Sequence, residues 1–220
     1  MMSLRHLTVV LMLILGCTAP VAADWPVARG PSREPAPHRF DPAVLPKTDD
    51  APASILYAGT THLIDVDGTI YQTMDLADTA WHASQVNWRS VGVELANIGS
   101  YAMTDKKGLG TLEDWYPKDA DGPYIEFPES LGDPGVRTRE FVARPARAER
   151  IVGPMQGSLR AQYDYTPEQY DALVRLTAVL CKILPRIQAD APRDDAGRVL
   201  TSRMMEEHEA RFRGIVGHHH

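Results

Sequence analysis

Asp67-Gly68 stands between two runs of β-forming residues, His62-Leu63-Ile64-Asp65-Val66 and Thr69-Ile70-Tyr71-Gln72. A tight two-residue turn needs positive φ, which glycine adopts without steric cost, so this pattern predicts a β-hairpin. Ser90-Val91-Gly92-Val93-Glu94-Leu95 predicts a third strand, in which Val91, Val93 and Leu95 share an apolar face and Glu94 points the other way. Further on, Thr166 is a good N-cap, Pro167 suits the first helical position and Gln169 completes a capping box. Tyr170, Leu173, Val174, Thr177, Leu180, Cys181 and Leu184 then fall on one helical stripe, and Pro185 ends it. A hairpin, a further strand and a capped helix together predict an α/β domain, a mixed central β-sheet flanked by helices.

The rest of the chain sets this domain in order. Arg5 and His6 precede an apolar stretch from Leu7 to Leu15, too short to cross a bilayer as a helix, so residues 1–23 are expected to be an export signal. Two processing readings stay open. Leu15-Gly16-Cys17 resembles a lipoprotein box, which would place a lipid anchor on Cys17, and this reading is preferred. Val21-Ala22-Ala23 before Asp24 fits ordinary cleavage to a soluble form. Either way the protein is expected outside the cytoplasm, in the periplasm or on the outer membrane. Residues 24–53 carry seven prolines, which restrict the backbone and predict an extended linker. Residues 54–220 form the expected domain, with residues 99–150, rich in Gly and Pro, read as a long irregular insertion. A short helix is expected around Met204 to Phe212, and a short apolar step at Ile215-Val216.

Charge and cysteine content narrow the function. The net charge of −6 argues against a nucleic-acid partner, which calls for a basic face. The two cysteines, Cys17 and Cys181, leave no disulfide framework once Cys17 is lipidated or removed, and Cys181 reads as a small hydrophobe on the helix. No G-x-S-x-G elbow, P-loop or dinucleotide fingerprint is present.

The residues that could carry chemistry are few. Glu94, a carboxylate on a short strand, must be paired, hydrogen-bonded or functional if it is buried. On composition alone an edge or surface glutamate is the commoner case. His62, His82 and the run His218-His219-His220 are candidate metal ligands by residue type, but their scatter lacks the spacing of a helical H-E-x-x-H, and a lone histidine is more often structural.

The segments His62 to Gln72, Ala80-Trp81-His82-Ala83 and Asn87-Trp88-Arg89-Ser90-Val91-Gly92-Val93-Glu94 closely resemble the type 2 N-acetylmuramoyl-L-alanine amidases, relatives of animal peptidoglycan-recognition proteins. Gly217-His218 and the helix start at Gln162 to Tyr170 resemble that family's later part. The resemblance implies a type 2 amidase-like fold and a monomer acting on peptidoglycan or muropeptides. It implies Zn2+ held by three protein ligands, which would lower the pKa of a bound water. By position Glu94 is then the general base and His218 a metal ligand, with His62 and His82 as supporting residues or alternative ligands.

The sequence departs from that pattern. Ile55 to Thr60, where a strand with the first ligand is expected, holds no histidine, and the Asp-Pro-Gly-like segment expected beyond His218 is not in these 220 residues. Three expectations compete: an incomplete copy of a normal amidase, a site rebuilt with His62 or His82 beside His218, or a non-catalytic peptidoglycan-binding module. Loss of the first strand would leave an open sheet edge, so residues 24–220 are expected to fold marginally or aggregate.

Overall fold

The computed structural model describes residues 9–14, 60–76, 80–82, 87, 89–129, 132, 134–209, 211–218 and 220. Cys17, the proline-rich stretch 24–53 and most of the Ile55 to Thr60 segment lie outside the described residues.

The expected hairpin forms as β2 (His62–Ile64) and β3 (Ile70–Gln72), paired antiparallel with Ile64 opposite Ile70. Gly68 has φ +77°, and a Cβ on it would lie 2.7 Å from the Glu168 carbonyl oxygen, so both turn geometry and packing require glycine there. β4 (Ser90–Leu95) pairs parallel with β2. On its other side lies β1 (Val9–Ile14), antiparallel to β4 and to β10 (Ile215–Gly217). The main sheet thus runs β10-β1-β4-β2-β3.

The capped helix also forms, as α2 (Pro167–Ile183). Thr166 accepts from the Gln169 backbone and the Gln169 side chain accepts from the Thr166 backbone. Its buried stripe is turned from the one expected. Gln169, Ala172 and Leu180 are buried and Leu173, Leu176 and Cys181 pack beside them, while Val174 stays 66% exposed. The cause is Gln169. Its amide reaches the Ala96 carbonyl at 2.8 Å and the Ile64 carbonyl at 3.4 Å, and Thr166 Oγ1 donates to the Val66 carbonyl at 2.7 Å. These polar anchors fix which face of α2 meets the sheet. Ile64, Val91, Val93, Leu95, Ala172, Leu180, Leu184 and Ile187 form the core between them.

The stretch 99–150 is more ordered than its Gly and Pro content suggested. It holds β5 (Tyr101–Ala102), α1 (Lys106–Trp115) and the small hairpin of β6 (Lys118–Asp119) and β7 (Gly122–Pro123). Asp105 caps α1 by accepting from the Gly108 N–H at 2.9 Å. β5 pairs with β9 (Ser158–Gln162), which pairs with β8 (Ile151–Met155). This part has its own core of Ile98, Leu112, Tyr116, Ala161 and Tyr163, with Tyr116 and Tyr163 stacked 4.3 Å apart. The expected C-terminal helix is the short α3 (Glu206–Glu209), whose Glu209 carbonyl accepts from Arg89 at the start of β4.

Candidate functional site

The two faces of β4 have different surroundings. Strand alternation sends Val91, Val93 and Leu95 to the α2 core, and Ser90, Gly92 and Glu94 to the opposite face. Both faces are covered, so all six residues are buried rather than only the apolar three.

His82 packs onto this second face. Its Nε2 lies 2.9 Å from Ser90 Oγ, and its backbone N–H donates to Asn87 Oδ1 at 3.0 Å. The ring rests against Gly92, where a Cβ would come within 2.8 Å of His82 Cγ. His82 Nδ1 is buried without a hydrogen bond of normal geometry. Burial pulls the His82 pKa down to about 4, against a smaller opposing pull from the Ala80 carbonyl, and nearby His218 adds to the lowering.

Glu94 lies on the same face as Ser90 and Gly92, 5% exposed. Burial alone pushes its carboxyl pKa up to about 7, the range in which one group can both take and return a proton near neutrality. A surface glutamate would not be shifted in this way.

The sequence-derived candidates therefore separate. Glu94, His82 and His218 lie on one side of the sheet, with His218 exposed in the turn after β10 and near enough for its charge to act on His82. His62 does not join them. Its ladder partner is Val93 and it alternates with Ile64, so it belongs to the α2 face, where its Nδ1 is buried and unbonded and burial lowers its pKa. Ser90, Gly92 and Asn87 were not singled out in the sequence. The alternation Ser90-Gly92-Glu94, a small polar residue and a glycine beside the carboxylate, was the available signal. Trp81 stands 79% exposed next to buried His82.

The fit to a metal can be tested on these groups. Among the described residues no three His, Cys, Asp or Glu side chains come together as a metal-binding group. His82 and the exposed His218 are at most two ligands among the described residues, short of the three that a catalytic zinc requires. A cavity of about 770 Å3 lies elsewhere, against α1 and the β6–β7 hairpin, lined in part by Lys106, Glu113, Lys118, Arg150 and Tyr163.

Residues 34–121 match the family model of N-acetylmuramoyl-L-alanine amidase. The match takes in the hairpin, His82 and Glu94, begins within the stretch read as a linker and ends inside the insertion. No curated protein and no solved structure matches the chain.

Proposed function

We propose, on the premise that this segment of the chain is of the N-acetylmuramoyl-L-alanine amidase family, that the protein hydrolyses the amide between the lactyl group of N-acetylmuramic acid and L-alanine in peptidoglycan. The observation that carries this reading is the buried Glu94 carboxyl, with its pKa at about 7, on the covered polar face beside His82. Glu94 takes a proton from the attacking water as its oxygen adds to the lactyl carbonyl carbon. The C–N bond then breaks, and Glu94 returns the proton to the departing alanine nitrogen. His82, neutral over the working range, is a positioning residue that holds Ser90 and the β4 backbone under Glu94. The exposed Trp81 ring offers an apolar platform for a sugar or stem-peptide face.

Family amidases typically rely on zinc, and the zinc reading stays part of this proposal for the protein in its wall-facing role. The described residues do not complete a zinc site, so no step above passes through a metal. That shortfall favours a second reading, a peptidoglycan-binding module without turnover. Export to the periplasm, as a lipoprotein or soluble form, is compatible with either reading as a separate expectation, and both of those processed forms would be without residues 9–14.

Mass spectrometry of muropeptides incubated with the zinc-supplemented chain, with and without chelator, and with Glu94→Gln alongside, separates them. Free stem peptide released by the wild type and lost in Glu94→Gln supports hydrolysis. Retention of the folded chain on insoluble peptidoglycan without any release supports the binding module.

A further inference from the structure

β1 is placed where a sheet can least do without a strand. It pairs with β4 at six positions, from Val9 opposite Leu95 to Ile14 opposite Ser90, and with β10 at three, from Leu11 opposite Gly217 to Leu13 opposite Ile215. Among the described residues, β10 has no other strand partner. Without β1, a gap about 10 Å wide, two strand spacings, separates β4 from β10.

The sequence of this segment suits the position. Val9-Val10-Leu11-Met12-Leu13-Ile14 is an unbroken apolar run. A strand with one wet face alternates apolar and polar residues, whereas a strand buried on both faces does not. The neighbouring strands are covered on both faces here. Val91, Val93 and Ile215 meet α2, while Val216 packs with Met204, Leu200 and Phe212 on the opposite side. The same run also reads as the apolar part of an export signal, so two fates compete for one set of residues.

We propose that Val9–Ile14 is retained in the folded protein as the central strand of the sheet, filling a strand-acceptor slot between β4 and β10. The slot also bears on the site. The ladder partner of Glu94 is Val10, and His218 directly follows β10, which among the described strands reaches the sheet through β1. A chain cut behind Ala23 loses this link, leaves two unpaired edges, and is open to an extended apolar segment from another molecule. The strand itself does not depend on the amidase reading.

Hydrogen exchange on the full, unaltered chain tests this directly. Amides of residues 9–14 should exchange at least on the order of a hundredfold more slowly than in a free peptide of the same sequence, as slowly as those of Ser90–Leu95. Exchange of 9–14 at the free-peptide rate overturns the proposal. As a register test, Leu13→Cys with Ile215→Cys, in a chain with Cys17→Ser and Cys181→Ser, should form a disulfide, whereas Leu13→Cys with Val216→Cys should not. Equal cross-linking of both pairs, or of neither, overturns it as well.

Discussion

Gly92 leaves room for the His82 ring: a Cβ at residue 92 would lie 2.8 Å from His82 Cγ and 2.9 Å from both His82 Nδ1 and Thr60 Oγ1. His82 cannot easily give way, because Ser90 and Asn87 hold its ring and backbone. Gly92→Ala should therefore destabilise the fold by about 1–3 kcal/mol, the usual range for overpacking. Urea unfolding measures this, and His82→Ala in the same chain should recover part of the loss. Simple additivity of the two substitutions would sink the explanation.

Glu94 and His82 titrate in opposing senses. The Glu94 pKa is raised from 4.5 to about 7, so the folded state holds a proton that the unfolded state has released; its contribution is present at low pH and is lost as pH rises from 4.5 through 7. The His82 pKa is lowered from 6.5 to about 4, so its contribution is present above 6.5 and is lost as pH falls towards 4. Each amounts to about 3 kcal/mol at full extent, and between pH 4.5 and 6.5 the two slopes cancel. Glu94→Gln should gain stability over wild type as pH rises, up to about 3 kcal/mol above pH 7. His82→Gln should gain over wild type as pH falls. Unfolding free energies of the three proteins from pH 4 to 8 check both signs.

Gln169 is buried and joins three backbone groups, of Thr166, Ile64 and Ala96. Gln169→Leu leaves the buried Thr166 N–H and the Ala96 carbonyl without it, at a cost of about 2–4 kcal/mol. Thr166→Ser, which keeps the cap, should cost less than half as much by thermal unfolding.

Trp81→Ala removes an exposed ring and should leave the unfolding midpoint within about 0.5 kcal/mol of wild type. If Trp81 contacts peptidoglycan, the same change should weaken retention on the polymer severalfold in a sedimentation assay. Unchanged retention would remove Trp81 from the binding surface.

Zinc held by His82 and His218 alone should leave the melting temperature unchanged, since two ligands make a weak site. Tight binding measured by calorimetry, lost in His218→Ala, would show that further ligands come from outside the described residues.

Much of the fold could be read from local chemistry. The hairpin, the β4 boundaries and the α2 cap each depend on a few adjacent residues; β4 and the cap formed where the sequence placed them, while the turn came one residue early, over Asp65 to Gly68, with Val66 and Asp67 at its centre. The orientation of α2 was not legible in this way. Apolar periodicity put Val174 and Tyr170 on the buried stripe, whereas long-range bonds from Gln169 decided the buried face and left Val174 exposed. α1 was hidden because Gly108 and Gly110 read as loop, yet Gly108 is a packing glycine with Tyr101 against it. At the site, the resemblance singled out Glu94, His82 and His62 alike, and only the strand register put His62 on the other face of the sheet. Val9–Ile14 has the composition of both a signal and a doubly buried strand, and no local pattern distinguishes the two.

Two of the cores among the described residues support different parts of the molecule. One, between the main sheet and α2, supports the face that carries Glu94; the other, around Leu112, Tyr116 and Tyr163, supports α1 and its hairpins. They meet through a few polar links, such as Asn97 to the Tyr163 carbonyl and the buried Asp164 with Tyr170 and Arg147. In evolutionary terms this division is permissive. Substitutions that reshape the α1 lobe should disturb the sheet beneath Glu94 less than substitutions in the core shared with α2 do.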